Sequence, residues 1–144
     1  MANKLIIPYK YQSVYPFREG VAAVQINNKW GFIDKEGNEL VVPYYDDISP
    51  FYEGLAAVKL DNKWGFINKE FKLVVPMKYA LASVFIEGAA AVSIKGDWGF
   101  INKEGQEIVP LIYSAADHQN HLLRAIVPGS NQVLFFDNTG KKIE

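Results

Sequence analysis

Short apolar runs recur along this chain, each cut by a few polar residues and by Asn, Asp or Gly. The run Ala22–Ile26 is bounded by Gly20 and by the pair Asn27-Asn28, and a second run, Lys29–Asp34, ends at Lys35-Glu36-Gly37. Runs of this length between turn-forming residues predict two strands of a hairpin joined by a two-residue turn. Asn, Asp and Gly tolerate the positive φ angles that such turns demand, and Asp61-Asn62 and Lys95-Gly96 hold the same place further along. A third strand, Glu39–Val42, is expected to stop at Pro43, which has no N–H to give a central ladder. The stretch from that proline to the next Phe is read as a short fourth strand.

A two-residue turn fixes the pairing. Ile26 faces Lys29, Gln25 faces Trp30, Val24 faces Gly31 and Ala23 faces Phe32. Large residues oppose small ones, with Phe32 over Ala23 and Gly31 leaving room beside Val24. One face carries Ala22, Val24 and Ile33, the other Ala23, Trp30 and Phe32. Two apolar faces mean a sheet covered on both sides.

The pattern repeats. Trp30, Trp64 and Trp98 stand 34 residues apart, each followed by Gly-Phe-Ile, and residues 20–36 and 54–70 agree at 12 of 17 positions. A unit this short cannot bury its own apolar face, so neighbouring units must stack around shared cores. We divide the single repeat domain, 1–144, into units of about 8–42, 43–75, 76–109 and 110–144. The fourth is degenerate: Val133-Leu134-Phe135-Phe136-Asp137-Asn138-Thr139-Gly140 stands for Trp-Gly-Phe-Ile-Asp-Lys-Glu-Gly. An end unit with one face in water is expected to diverge as a cap. Asn3–Pro8 corresponds to Asn38–Pro43, and Gly140–Glu144 begins the same strand again.

The repeated pattern Phe-x-Glu-Gly-x-Ala-Ala-Val, turn, Lys-Trp-Gly-Phe-Ile-Asp/Asn-Lys-Glu-Gly, Val-Pro resembles the bacterial WG-repeat family, also called KWG repeats. The resemblance covers residues 3–109 strongly and 110–144 weakly. It implies a β-rich repeat architecture, a bacterial origin and an interaction module without a single enzymatic role. Trp30, Gly31, Phe32, Trp64, Gly65, Phe66, Trp98, Gly99 and Phe100 are its framework. The chain departs from the pattern at Phe71, where the turn glycine belongs, at Asp97 in place of lysine, and in the fourth unit, which has no Trp-Gly.

Composition narrows the chemistry. The hydrophobic content of 49%, with 14% aromatic, excludes a disordered chain. A net charge of −1 without a basic stripe argues against nucleic acid and anionic membranes. The chain has no cysteine, so thiolate nucleophiles, disulfides and Cys-based zinc sites are excluded. The N-terminal apolar stretch is too short for a secretory signal and no segment approaches a membrane span, so a cytoplasmic location is expected.

Glu19, Glu53 and Glu87 recur once per unit. They could line a cation- or sugar-binding stripe, but read better as turn residues paired with a lysine such as Lys29 or Lys63. The tryptophans fit core packing better than a stacking platform for sugars or bases. Asp46-Asp47 reads as a solvated turn. His118 and His121, beside Asp117, would share a helix face if that stretch were helical, but no third metal ligand has motif-like spacing. A capping loop over 114–124 is the expectation there. No metal site, cofactor or catalytic residue is assigned.

Variable positions on a constant framework remain. Gln25, Lys59 and Ser93 hold one place in successive strands, and Tyr9, Tyr44 and Met77 follow successive prolines. Tyr9, Tyr11, Tyr44, Tyr45 and Tyr52, with Gln25, Lys59, Ser93, His118 and His121, form the candidate binding set, since tyrosine gives contact area at low entropic cost.

The fold expected is all-β: four antiparallel units in an open, solenoid-like stack, the alternative being a small closed propeller. The extra strand copy at the N-terminus favours the open form. The function expected is non-catalytic protein–protein interaction, as a small bacterial adaptor or immunity-type protein, monomeric or weakly homodimeric. A carbohydrate- or cell-wall-binding module is the second reading. A hydrolase centred on residues 117–121 is the third.

Overall fold

Four antiparallel sheets follow one another along the chain in a computed structural model that describes residues 10–143. The first holds β1 (Ser13–Val14), β2 (Ala22–Ile26), β3 (Lys29–Ile33) and β4 (Glu39–Tyr45), in that order. The second holds β5 (Asp47–Ile48), β6 (Ala56–Leu60), β7 (Lys63–Ile67) and β8 (Leu73–Tyr79). The third holds β9 (Leu81–Ala82), β10 (Ala89–Ile94), β11 (Asp97–Asn102) and β12 (Glu107–Tyr113). The last has three strands, β13 (Ala115–Gln119), β14 (Leu122–Ile126) and β15 (Val133–Phe136). The described residues contain no helix and no closed barrel, and the sheets form the open stack expected from the repeat. The N-terminal strand copy, Asn3–Pro8, and Glu144 lie outside the described residues.

The hairpin register is the one the turns dictate. Asn27 and Asn28 have φ of 52° and 64°, and Asp61 and Asn62 have 53° and 67°, so both central residues are left-handed as a type I′ turn requires. Ala23 pairs with Phe32, Val24 with Gly31 and Gln25 with Trp30. The post-proline stretch does supply a further strand, two residues long, in each of the first three sheets.

The third strand of each unit differs from expectation. It does not stop at the proline but runs on to Tyr45, Tyr79 or Tyr113. Trp30 pairs with Tyr45 and Phe32 with Val41, so four steps on β4 answer two on β3. The proline lies in this bulge, where a missing N–H breaks no ladder bond. The bulge also explains the glycine after each tryptophan more directly than the space beside Val24. A Cβ on Gly65 would lie 2.5 Å from the Val75 carbonyl oxygen and 3.0 Å from the Met77 nitrogen.

Each sheet interface buries a core with one composition. Between the first and second sheets lie Ala23, Trp30 and Phe32 from one side and Phe51, Ala56, Val58 and Ile67 from the other. Phe66, Phe85, Ala90, Val92 and Ile101 repeat this at the next interface. Phe71 takes the left-handed place that glycine fills in the other units, with φ 64°. That conformation costs a residue with a Cβ about 1–2 kcal/mol. The ring recovers it against Phe32 and Phe51, with centroids 5.9 and 6.0 Å away. The fourth sheet is a cap in the physical sense. Leu123, Ala125 and Phe136 face the third sheet, while Arg124 is held by Asp117 through two bonds of 2.7 and 2.6 Å.

After each Trp-Gly-Phe-Ile strand, an Asp or Asn side chain organises the loop. Asp34 Oδ1 accepts N–H bonds from Glu36 and Asn38, and Asn68 Oδ1 does the same for Glu70 and Lys72. The Asn38 side-chain amide, then the backbone N–H groups, hold the Asp34 carboxyl below its ordinary range. Its contribution to stability is therefore present above the unfolded-state pKa and is lost as pH falls through the lower folded value. Asn68 makes the same loop uncharged. Asp34→Asn should thus keep the loop and narrow the gap between urea midpoints at pH 3 and pH 6; an unchanged gap would refute this.

Candidate interaction surface

One row of side chains crosses each full sheet through its tryptophan. The rows are Ser13–Gln25–Trp30–Tyr45, Asp47–Lys59–Trp64–Tyr79 and Leu81–Ser93–Trp98–Tyr113. The cross-strand pairing that fixes the hairpins sets Gln25, Lys59 and Ser93 beside the indoles. The indoles themselves pack into the cores: Trp30 is 7% exposed, and Trp64 and Trp98 are half-buried against theirs. They are spacers between layers, and no row of open rings results.

Where the first sheet meets the second, the row widens into an aromatic and charged corner. Tyr15 stacks on Trp30, with ring centroids 4.7 Å apart and planes 27° from parallel. Tyr44 and Tyr45 meet edge to face at 5.1 Å. Lys29 is paired with Asp46, whose second oxygen accepts the Asp61 N–H at 2.9 Å. The lysine's hydrogen bond, followed by that N–H, holds the Asp46 carboxyl low, and the same bond raises Lys29. Burial raises the Tyr15 phenol, with the charge of Asp47 adding to it. Tyr44, 53% exposed, and Val42, 63% exposed, stand out from the bulge of β4.

Among the described residues this corner occurs once. The equivalents of Tyr15 are Ser49 and Ser83, whose hydroxyls close local loops by accepting the N–H of Ala57 and Ala91. The equivalents of Tyr44 are Lys78 and Ile112, not Met77. Counting from the prolines misplaces this residue, because Pro43 lies one step later in its bulge than Pro76 and Pro110. Pro43 and Met77 share a place, and Met77 packs toward the core between the first two sheets.

The other sequence candidates scatter. Ser93 is 1% exposed and has no accessible surface to offer. Tyr52 carries the Arg18 guanidinium 4.0 Å over its ring, while Arg18 Nε donates to the Phe51 carbonyl at 3.1 Å. That tyrosine is thus part of the contact between the first two sheets. Tyr11 packs against Ala22, Val24 and Ile33 beside Phe17, and Tyr9 lies outside the described residues.

The segment 114–124 is a hairpin and not a loop, and its histidines share no helix. His118 lies on β13, with Nε2 3.1 Å from the Ala89 carbonyl and its ring edge-on to Phe100. His121 is in the turn, with Nδ1 2.5 Å from Glu87 Oε2. Asp117 and His118 are neighbours on one strand, so their side chains leave opposite faces. Among the described residues no group of three or more His, Asp or Glu side chains is placed to hold a metal ion.

The recurrent glutamates are turn residues, but their partners are not Lys29 or Lys63. Each sits at φ near 50° in a two-residue turn and reaches the turn of the next sheet. Glu19 Oε1 accepts the Gly54 N–H at 3.1 Å, and Glu53 accepts those of Glu87 and Gly88 at 2.5 and 2.9 Å. Glu87 continues the series to His121. Lys69 and Lys103, from the Asn-Lys-Glu loops, stand 3.9 and 3.8 Å from Glu19 and Glu53.

Comparison with known proteins agrees with this arrangement. The sequence profile of the WG containing repeat matches residues 2–30, 30–64, 64–97 and 98–118. The chain belongs to the WG-repeat family. No curated protein matches it. Among solved structures, this WG-repeat chain is similar in fold to Kluyvelomyces marxianus Hsv2, at 9% identity and a TM-score of 0.60, over 93% of this chain and 50% of that one. It is also similar to a eukaryotic initiation factor, at 14% identity and a TM-score of 0.63, over 98% of this chain and 45% of that one. Both are β-propeller-like, and the WG-repeat chain spans about half the length of each.

Proposed function

We propose that this WG-repeat domain is a non-catalytic scaffold that holds a protein partner at the corner formed by Tyr15, Trp30, Tyr44, Tyr45, Asp46 and Lys29. The observation that carries the reading is that three sheets share one framework while this corner departs from it. Tyr15 and Tyr44 replace the loop-closing serines and the Lys or Ile of the other units, and Tyr44 is open to solvent. Amphipathic rings held by neighbours suit a protein interface, because little side-chain freedom is lost on contact.

A carbohydrate module would use a row of open rings, and the indoles are spent on packing. A hydrolase at 117–121 would need converging groups, whereas Asp117 is tied to Arg124 and His118 faces the other way. The bacterial adaptor or immunity-type role is one form of the scaffold reading.

Tyr44→Ala is the direct test. Partners captured from the native host by the wild-type domain, once identified and purified, should bind the variant at least about tenfold more weakly, as for a hot-spot tyrosine. The melting midpoint should hardly move, since exposed substitutions usually stay within about 0.5 kcal/mol. Equal affinity for wild type and variant would count against the corner.

A further inference from the structure

Turns of one kind stand at the sheet junctions, and the residues around the last of them have changed together. Glu19-Gly20, Glu53-Gly54, Glu87-Gly88 and Asn120-His121 are all left-handed pairs. The flanking residues close each turn: Arg18 with Val21, Tyr52 with Leu55, Ile86 with Ala89 and Gln119 with Leu122. Arg18, Tyr52, Ile86 and Gln119 are therefore equivalent, and His118 holds the place of Phe51 and Phe85. The ring contacts agree. Phe51 packs on Phe32 at 4.9 Å, Phe85 on Phe66 at 4.7 Å and His118 on Phe100 at 5.5 Å.

The first two junctions keep a permanent cation beside the carboxylate. At the first, the Arg18 guanidinium lies over the Tyr52 ring and donates to the Phe51 carbonyl, while Lys69 stands 3.9 Å from Glu19. At the second, Lys103 stands 3.8 Å from Glu53. At the third, Asn138 holds the lysine's place, in a loop that Asp137 organises as Asn68 organises its own. Glu87 is left with His121, an ion pair only while the imidazole is protonated. Ile86 and Gln119, in the places of Arg18 and Tyr52, carry no charge. A cavity of about 380 Å³ opens between Ile86, Glu87 and residues 118–121.

This junction is short of donors. Among the described residues no lysine or arginine stands within ion-pair distance of Glu87. Asn138 gives its amide N–H groups to Glu87 and to the His121 carbonyl, at 3.4 and 2.8 Å, and its Oδ1 is buried without a hydrogen-bond partner. Gln119 and Leu122 form the hydrogen-bonded pair at the turn, so the His118 carbonyl points away from β14. The Phe51 carbonyl does the same where Arg18 reaches it. A guanidinium has five donors in a planar fork and no acceptor, and it sheds water more readily than an ammonium.

We infer that this cavity receives the guanidinium of an arginine carried by a protein partner, between the Glu87 carboxylate and the His118 carbonyl. That arginine takes the place which Arg18 fills from within the chain at the first junction. Only the source of the arginine rests on the scaffold reading; the tyrosine corner belongs to the first two sheets and takes no part in the contact.

The probe is blocked arginine, N-acetyl-arginine-N-methylamide, titrated into the isotopically labelled full chain. It should shift the NMR signals of Asn120, His121 and the His118 ring saturably, with a Kd of about 1 mM. Blocked lysine should bind at least about tenfold more weakly, because an ammonium cannot fork across both acceptors. Glu87→Gln should weaken blocked arginine by about tenfold or more. Glu87 also fastens the last sheet, so Ile86→Arg is the second variant: a guanidinium built in at the place of Arg18 should abolish binding of the probe. No shifts at the hairpin, equal affinity for arginine and lysine, or undiminished binding to Ile86→Arg would overturn the site. Tighter binding of free arginine than of the blocked form would overturn the protein source. None of these readouts uses the Tyr44→Ala variant, so the site and the corner can each fail alone.

Discussion

Phe32→Ala should cost about 3–5 kcal/mol, the range for truncating a buried aromatic. The Phe32 ring has no exposed surface and lies 4.9 Å from Phe51 and 5.9 Å from Phe71, so the cavity would open at the junction of the first two sheets. Against a total stability of about 5–15 kcal/mol for a domain, that loss is severe. In a stack each layer is held by its neighbours. Hydrogen exchange in the variant should therefore rise first in β2–β4, ahead of global unfolding. Uniform acceleration across all four sheets would show that the array behaves as one cooperative block instead.

Gly65→Ala is the second large effect, and it comes from a methyl group. The added Cβ would meet the Val75 carbonyl oxygen at 2.5 Å, and backbone in a paired bulge cannot swing aside as a side chain can. We expect a loss of about 3 kcal/mol, the upper end for overpacking, seen as a lower urea midpoint at unchanged slope. Gly54→Ala is the control. It has nothing within 4 Å but a φ of 81°, so its cost should be only the left-handed penalty of about 1–2 kcal/mol. If the two variants lose the same amount, close backbone approach is not the reason for glycine after tryptophan.

The parts of this structure that follow from local chemistry were legible in the residues. A two-residue Asn-Asn turn permits one pairing, so the partners of Trp30, Gly31 and Phe32 and the faces they occupy could be read before any coordinates. The bulge could not. Pro43 was a sound reason to end a strand, because nothing local reveals that the ladder resumes at Tyr45 after the proline has been bypassed. The same displacement hid the true equivalent of Tyr44.

The last hairpin was missed for a different reason. Asn120 and His121 adopt φ of 53° and 65° without a glycine to announce the turn; Asn120, which tolerates that region, was the available signal. Of the candidate site, the tyrosine enrichment was visible. The use of Tyr52 by Arg18 and the stacking of Tyr15 on Trp30 were not: the first joins the turns of two different sheets, and the second runs diagonally across β2 within the first sheet. Neighbours across a junction become readable only once the stacking order is known.

The carboxylate series from Glu19 to Glu53 to Glu87 bears on how such a protein can grow. Up to the third sheet, each link ends on a main-chain amide, a group that every residue except proline presents. The receiving unit therefore needs no matching side chain, and a duplicated segment would arrive with both halves of its own fastening. Lengthening or shortening the array by whole modules leaves these links satisfied, whereas a partial insertion would strand a glutamate with nothing to grip.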